Sequence, residues 1–200
     1  MIAGLPLFHL PDDASRDRMN VVYFDLETQK SAEEVGGWGN ARAMLMSVGV
    51  TYSTERAGYK IYGPNQARDL ILELRRADLV VGYNIAGFDY EVLGGLDPFF
   101  DPEQLRTLDL LVEIHKQVKR FISLDSFATA TMGVEKTSEG LQAIRWFREG
   151  KMLEIAEYCC YDVKITKMLH DYGVEHGQVY YLDRFNKKLA VPVAWAPKPA

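Results

Sequence analysis

Short runs rich in apolar, strand-forming residues occur at several places before residue 112. VVYFDLET, residues 21–28, is apolar up to its acidic end and predicts a buried strand. ARAMLMSVGVTYST and AGYKIYG, separated by a turn near Glu55–Gly58, predict an antiparallel pair. DLVVGY predicts a short strand that leads into the loop Asn84–Gly87, and LRTLDLL predicts another that carries Asp109 at its end.

Apolar residues at helical spacing follow these strands. Asn65–Arg76 predicts a helix with Asn65 as its N-cap, and Phe88–Leu96 predicts a second. Ser123–Gly150 predicts short helices. Lys151–Tyr172 has the strongest helical pattern, with these residues on its apolar face: Leu153, Ile155, Ala156, Cys159, Ile165 and Leu169. A three-stranded meander followed by alternating helices and strands predicts an α/β fold with a mixed central β-sheet flanked by helices.

The length of 200 residues suits one well-cored domain and is short for two. We expect a lead-in over residues 1–19, a single domain over residues 20–194 and a disordered tail over residues 195–200. No stretch approaches the roughly 18 consecutive apolar residues of a membrane span, and the start lacks the basic region of a secretory signal. The adjacent Cys159 and Cys160 disfavour a disulfide framework or a zinc site. These features predict a cytoplasmic protein with no membrane partner.

The net charge of −5 at first argues against a nucleic-acid partner. A cluster of carboxylates reserved for divalent cations changes that balance, because two bound Mg²⁺ ions would bring the charge from −5 to about −1. The charge therefore does not decide the question.

Two carboxylates stand at the end of the first predicted strand. Asp25 and Glu27 are two residues apart, so their side chains project from the same face. Like charges placed this way repel, and each carries a desolvation cost unless a cation lies between them. Their oxygen ligands suit Mg²⁺ or Mn²⁺. Taken alone, the pair also fits a solvated strand end.

Two later blocks carry further acids at helical positions. In GYNIAGFDYEVL, Asp89 falls in the first turn of a predicted helix, just after Asn84 and Phe88, where exposed N–H groups favour a carboxylate. Tyr158 and Asp162 lie four residues apart in the long helix and share a face. Each block alone also fits a structural role, as a capped turn with a buried Phe or as a partly exposed Asp beside a core-edge Tyr.

Together the blocks read Asp-x-Glu on a strand, Asn-x3-Phe-Asp at a helix start and Tyr-x3-Asp on a late helix. The order resembles the three motifs of the DnaQ-like, or DEDD, exonuclease superfamily in the ribonuclease H-like fold, with YFDLET, VGYNIAGFDYEVL and EYCCYDVKITKML as the matching segments over roughly residues 20–172. The second and third motifs resemble the proofreading domains of family B DNA polymerases, and the whole pattern resembles stand-alone YprB-type domains. One branch has a His five positions before the last Asp, where Glu157 stands here. The tyrosine (DEDDy) branch has a Tyr four positions before it, where Tyr158 stands.

The resemblance implies a metal-dependent 3′–5′ exonuclease acting on single-stranded DNA or RNA with a free 3′ end. It implies two divalent cations, Mg²⁺ or Mn²⁺, held by Asp25, Glu27, Asp89 and Asp162, with Asp25 bridging the two sites. Tyr158 would orient the attacking water. These five residues form the expected catalytic set.

The resemblance also implies contacts with the terminal nucleotide by Asn84, Phe88 and Leu26, the Phe by stacking. Four basic residues are candidates for contacts with backbone phosphate: Lys119, Arg120, Arg145 and Arg148. An ordinary surface charge is the simpler explanation for any one of them. Asp109 is expected to be structural, and Asp125 to be a helix cap or a surface residue.

Two other functions stay open from the sequence. The first is a catalytically idle ribonuclease H-like module that binds nucleic acid or a protein, and the second is a structure-selective endonuclease. The complete set of four acids argues against the idle module, since degenerate modules usually lose at least one. The Tyr argues against the endonuclease, since it belongs to the exonuclease pattern. A polymerase, helicase or nuclease on a separate chain would be a compatible partner.

Overall fold

The structure is a computed structural model that describes residues 19–134 and 140–196. Its strands are β1 (Val21–Thr28), β2 (Met46–Ser53), β3 (Gly58–Tyr62), β4 (Leu79–Gly82), β5 (Thr107–Asp109), β6 (Gln178–Leu182) and β7 (Lys188–Pro192). Its α-helices are α1 (Ala67–Arg76), α2 (Asp89–Leu96), α3 (Leu110–Val118), α4 (Leu124–Phe127), α5 (Gly140–Arg148) and α6 (Met152–His176). Shorter helical turns cover Trp38–Ala43 and Pro102–Gln104 as 3₁₀ helices, and Ala128–Met132 as a π-helical turn after α4.

The central sheet is mixed and has the order β3-β2-β1-β4-β5. β1 is its middle strand, antiparallel to β2 and parallel to β4, and β5 adds a further parallel strand. The predicted meander and the predicted α/β class with a mixed sheet are both confirmed. A bulge interrupts the β1–β2 ladder between Glu27 and Thr28, at the end of β1 where the acidic residues stand.

Two hydrophobic cores lie on opposite faces of this sheet. Val22, Phe24 and Leu26 of β1 face the core formed with α1 and α2. Tyr23 faces the other core, formed with α3, α5 and α6. Because successive strand residues point to opposite faces, Asp25 and Glu27 share the side of Tyr23, and they lie under α6.

A tight contact positions the segment between β1 and β2. The 3₁₀ helix Trp38–Ala43 packs against α2, and the Arg42 guanidinium donates to the carbonyl oxygen of Gly94 at 2.8 Å. A Cβ atom on Gly95 would lie 1.9 Å from the Arg42 carbonyl oxygen, so only glycine allows this approach. The contact fixes the position of Trp38 at the start of this 3₁₀ helix.

Several sequence-based predictions need correction. α1 begins at Ala67, and Gln66 rather than Asn65 occupies the N-cap position, without a side-chain hydrogen bond. Leu153, predicted on the apolar face of the long helix, is exposed, because it lies in the first turn, outside the packed face. The β6–β7 hairpin was not predicted from the tyrosine-rich segment after α6.

The predicted end segments are only partly described. Residues 1–18 of the predicted lead-in and residues 197–200 of the predicted tail lie outside the described residues, as do residues 135–139. Trp195, assigned to the disordered tail, is instead buried against the ring of His170, with centroids 6.2 Å apart. Within the described parts of the chain, no helix combines the length and apolarity needed to cross a bilayer.

Candidate active site

Three carboxylates meet where α6 crosses the end of β1. Asp25, Glu27 and Asp162 each offer a carboxylate oxygen, and these oxygens lie within 4.8 Å of one another. The β-strand alternation places the first two together, and the packing of α6 on β1 and β2 brings in the third. Residues 137 positions apart are thereby combined into one half-buried acidic cluster.

The cluster is electrostatically strained unless a cation compensates its charges. Burial raises the pKa of Asp25 well above its usual range, and the neighbouring charges of Asp89, Asp162 and Glu27 raise it further. The pKa of Glu27 is raised by burial and then by the charges of Asp162 and Asp89. Each of these effects penalises the charged carboxylate, so a cation placed among the oxygens would relieve them together.

Cys159 supports Asp25 from the buried face of α6. Its thiol lies 3.4 Å from both Oδ2 and the backbone oxygen of Asp25, in position to donate to either. This hydrogen bond opposes the rise in the pKa of the Asp25 carboxyl. From the sequence, Cys159 was expected only as a residue of the apolar helix face. Its position three residues before Asp162, near the cluster-facing side of the helix, was the available signal.

Asp89 approaches Asp25 from the β4 side and is only 3% exposed. The ladder between β1 and β4 ends at Tyr23 and Val81, and the N–H of Leu26 beyond it donates to Oδ1 of Asp89 at 3.0 Å. Burial raises the pKa of Asp89 to about 8, against the opposing effect of hydrogen bonds from the backbone N–H groups of Leu26 and of Asp89 itself. Asp89 is not one of the three mutually close carboxylates, but its charge acts strongly on Asp25.

Tyr158 stands one helical turn before Asp162, and its hydroxyl is hydrogen-bonded to that carboxylate. Burial raises the pKa of the phenol, and the charges of Asp162, Glu27 and Asp25 raise it further. The ring is half-buried and meets Trp146 edge-on, with centroids 6.4 Å apart. The hydroxyl is therefore held at the rim of the acidic cluster in its protonated form.

Asp109 holds the loop that carries Asn84. Its carboxylate accepts from the N–H groups of Asn84 and Ala86, both at 2.9 Å, and it caps α3 through the N–H groups of Leu111 and Val112. Asn84 has a φ of 64°, a left-handed conformation that asparagine tolerates better than most residues. The structural role expected for Asp109 is confirmed.

A groove begins beside Glu27 and extends away from the cluster. Its walls include Asn84, Phe88, Trp38 and Ile144. The rings of Phe88 and Trp38 meet edge-on, with centroids 5.9 Å apart, and Trp38 remains 75% exposed. Trp38 could not be recognised from the sequence, because it lies in an irregular Gly-rich segment that has no periodic pattern.

Leu26 does not line the groove. Its side chain is 4% exposed and packs in the core on the opposite face of the sheet from Asp25. The predicted substrate contact by this side chain does not fit its position, because strand alternation turns it away from the site.

Among the other candidates, Arg148 forms an ion pair with Glu34 at 2.7 Å, and Ser123 rather than Asp125 caps α4.

The donor set fits hard divalent cations. Every ligand candidate in the cluster is a carboxylate oxygen, the donor type preferred by Mg²⁺ and Mn²⁺. Burial raises the pKa values of Asp25 and Glu27, and the neighbouring carboxylates raise them further, so the charged cluster favours a cation. The cluster of Asp25, Glu27 and Asp162 could thus hold a divalent cation.

Comparison with known proteins agrees with this architecture. The chain is similar to the family B DNA polymerase from the hyperthermophilic archaeon Pyrobaculum calidifontis, with a TM-score of 0.60 and 14% sequence identity. The likeness covers 78% of this chain and 25% of the polymerase chain, so this chain spans about a quarter of that protein. At this identity the likeness shows the fold alone. A search of curated proteins gives no match.

A family model supplies the assignment that the fold alone does not. The model of the RNase H superfamily matches residues 22–174, from β1 to the last turn of α6. The matched region contains all four acids of the site, together with Tyr158. The protein belongs to the RNase H superfamily.

Proposed function

We propose that the protein is a metal-dependent 3′–5′ exonuclease of the DEDDy type that acts on single-stranded DNA or RNA. One observation carries the proposal. The carboxylate oxygens of Asp25, Glu27 and Asp162 converge within 4.8 Å, and the hydroxyl of Tyr158 is hydrogen-bonded to Asp162. Membership of the RNase H superfamily supports nuclease chemistry at such a cluster.

The four acids divide into two groups around Asp25. Asp25, Glu27 and Asp162 would hold one Mg²⁺ or Mn²⁺ ion. Asp25 and Asp89, which approaches from the β4 side, would hold a second ion. When bound, such ions activate water and stabilise the negative charge that develops on the phosphate during in-line displacement. The chain's contribution is a rigid carboxylate frame, fixed by the Leu26 N–H and the Cys159 thiol.

Tyr158 would orient the attacking water. A phenol has an ordinary pKa near 10, so it is protonated at neutral pH and is a poor base. Its hydroxyl can exchange hydrogen bonds between Asp162 and a water molecule at the rim of the cluster. Attack of the water oxygen on the last phosphodiester releases the 3′ oxygen of the preceding nucleotide, which takes up a proton, and a nucleoside 5′-monophosphate leaves.

The groove beside Glu27 supports a terminal nucleotide as the residue removed. Phe88 and Trp38 offer aromatic surface for stacking on a base, and Asn84 offers a side-chain amide in the same groove. We propose a cytoplasmic location, with a separate polymerase, helicase or nuclease chain as a compatible partner.

An end-labelled cleavage assay tests the proposal. The full chain is incubated with 5′-labelled single-stranded DNA and, separately, RNA in Mg²⁺, Mn²⁺ or EDTA. Asp25→Ala is the test variant, and Asp69→Ala, which removes an exposed acid on α1, is the matched control. We expect products that shorten progressively from the 3′ end and that disappear in EDTA and in Asp25→Ala but persist in the control.

Other outcomes would decide against the proposal. Absence of cleavage in every metal, with intact folding, would leave an idle binding module. One internal cut would point to an endonuclease. Shortening of 3′-labelled substrate from its 5′ end would refute the proposed direction.

A further inference from the structure

A second surface combines exposed aromatic rings with positive charge. It consists of residues 119–121, which follow α3, and the tip of the β6–β7 hairpin, and we call it the basic–aromatic surface. Its members are Lys119, Arg120, Phe121, Arg184, Phe185, Lys187 and Lys188, all of them exposed. Phe121 is 79% exposed and Phe185 is 74% exposed. Neither the acidic cluster nor the groove beside Glu27 includes any of these residues.

Tertiary packing brings the two halves of this surface together. α3 packs against β7, and Val118, Ile122 and Leu189 belong to the same hydrophobic core. Arg120 lies close enough to Asp183 for its charge to help lower the pKa of that carboxyl, after the stronger effects of backbone hydrogen bonds and of Lys187. The segment after α3 and the hairpin tip therefore form one continuous patch.

Hydrogen bonds within the turn hold the hairpin tip in one conformation. Asp183 accepts hydrogen bonds from the N–H groups of Phe185 at 2.8 Å and Lys187 at 2.9 Å, and its own N–H donates to the carbonyl oxygen of Lys187. Asn186 adopts a left-handed φ of 57°. Arg184 lies over the ring of Phe185 at 4.7 Å. The turn thus holds an apolar ring in solvent, at a cost in free energy that a stacking ligand would recover.

The hairpin is anchored to α4. The Ser126 hydroxyl on α4 donates to the carbonyl oxygen of Leu182 at 3.3 Å and accepts from its N–H at 3.1 Å. α4 also packs against α6, the helix that carries Tyr158 and Asp162. α4 therefore connects the hairpin to the helix that carries part of the acidic cluster.

We propose that the basic–aromatic surface binds single-stranded nucleic acid on the 5′ side of the strand end that enters the candidate active site. Its five cations and the single acid Asp183 give a local charge of +4, although the whole chain carries −5. Phe121 stacks on His115 and Arg184 lies over Phe185, so each exposed ring keeps its other face for stacking on an unpaired base. The cations attract the phosphate backbone. An acidic peptide would use the cations but leave both rings unmatched. The inference concerns binding, so it can be tested apart from the proposed cleavage.

The experiment measures binding of fluorescent oligothymidylates to the full chain in EDTA, where the proposed metal-dependent cleavage is absent. Strands of about 4 and about 20 nucleotides are compared, since sites of this class contact roughly 4–16 nucleotides. One variant combines Phe121→Ala with Phe185→Ala, and another combines Arg184→Glu with Lys187→Glu. The matched controls are Phe99→Ala and Arg68→Glu, which alter an exposed ring and an exposed cation away from this surface.

We expect the aromatic variant to lose about 5-fold or more in affinity for the long strand and much less for the short one, while keeping the salt dependence. The charge-reversal variant should lower the slope of log affinity against log salt by roughly 0.7 for each phosphate that the surface no longer neutralises. The controls should match the unaltered chain. Circular dichroism of each variant excludes misfolding as the cause.

Three results would overturn the inference. The first is an equal loss of affinity for long and short strands. The second is an equal loss of affinity in the test and control variants. The third is a loss of affinity in the charge-reversal variant only, with polyglutamate competing as well as the oligonucleotide. The last would identify a surface for acidic proteins. If the length-dependent effect is found in a chain that cleaves nothing, the proposed exonuclease fails and this inference stands. If the chain trims 3′ ends but shows no length-dependent effect, this inference fails and the proposed exonuclease stands.

Discussion

Replacing Asp25 by Asn should make the metal-free protein more stable and abolish its stabilisation by Mg²⁺. Burial raises the pKa of this side chain, and the charges of the three acids around it raise the pKa further. Asparagine keeps the shape and an oxygen that can accept from the Cys159 thiol, but it removes the negative charge. A residue kept for cation binding is expected to cost stability when the cation is absent.

The magnitude follows from the spacing of the oxygens. Asp25 has an oxygen within 4.8 Å of both Glu27 and Asp162. At that separation, one pair of unit charges repels by about 0.9 kcal/mol at the dielectric constant of water and by about 3.5 kcal/mol at an effective value of 20. Because Asp25 is only half-buried, solvent screening reduces the sum, and we expect a gain of about 1–3 kcal/mol. For a chain of this length, that is about 2–12 °C in Tm.

The gain should depend on pH. The folded-state pKa values of Asp25 and Glu27 lie above their ordinary values, so the folded chain binds protons more tightly than the unfolded chain. The stability that this proton binding contributes is present below about pH 4 and is lost as the pH rises through the folded-state values. The difference between Asp25→Asn and the unaltered chain should therefore be small at low pH and largest in mildly alkaline solution.

Thermal unfolding in EDTA at about pH 5 and about pH 8, and at about pH 8 with Mg²⁺, measures these effects. Glu55→Gln, which neutralises an exposed acid in the β2–β3 turn, is the control and should leave both Tm and the Mg²⁺ response unchanged. The unaltered chain should gain stability with Mg²⁺ in proportion to the logarithm of its concentration above Kd. An Asp25→Asn protein that is destabilised equally at both pH values, or that still responds fully to Mg²⁺, would refute the electrostatic account of the cluster.

Three further substitutions test other parts of the site and its supports. Tyr158→Phe should lower the single-turnover cleavage rate by about 100-fold and keep the Mg²⁺-induced rise in Tm, because the carboxylates remain; an unchanged rate would exclude a role in orienting water. Asp109→Ala should destabilise the fold by about 2–4 kcal/mol in urea unfolding, because four backbone N–H groups lose their acceptor. A loss of stability below about 0.5 kcal/mol would contradict the anchoring role of Asp109. Gly95→Ala should cost at least about 1–3 kcal/mol, since the new methyl group would lie 1.9 Å from the Arg42 carbonyl oxygen, and a wild-type Tm would show that the segment can move aside freely.

Local periodicity accounts for the parts of the site that could be predicted. The two-residue period of β1 places Asp25 and Glu27 on one face, and the i to i+4 spacing of α6 does the same for Tyr158 and Asp162. Both relations depend only on backbone geometry within one element, so they can be recognised in a sequence. The same geometry turns the Leu26 side chain into the core.

Contacts between distant segments could not be predicted in this way. The Cys159 thiol reaches Asp25 because α6 packs closely on β1, and Trp38 reaches the groove because its 3₁₀ helix is held against α2. The hairpin was missed because its turn uses Asp183 and Asn186 in place of the Asn-Gly or Asp-Gly pairs that mark tight hairpins. The expected cap at Asn65 failed for a smaller reason, since the helix begins one position later than that cap requires.

The sequence by itself determined the mixed α/β order of elements and the face on which each catalytic candidate lies. Only the tertiary structure decided that three carboxylates meet within 4.8 Å, that Asp89 stays just outside their group, and that the ends of α3 and the β6–β7 hairpin share one charged surface. The physical reason is the range of each constraint. Backbone periodicity relates residues a few positions apart, whereas the approach of β1 to α6, or of α3 to β7, is determined by packing two hydrophobic cores on a twisted sheet.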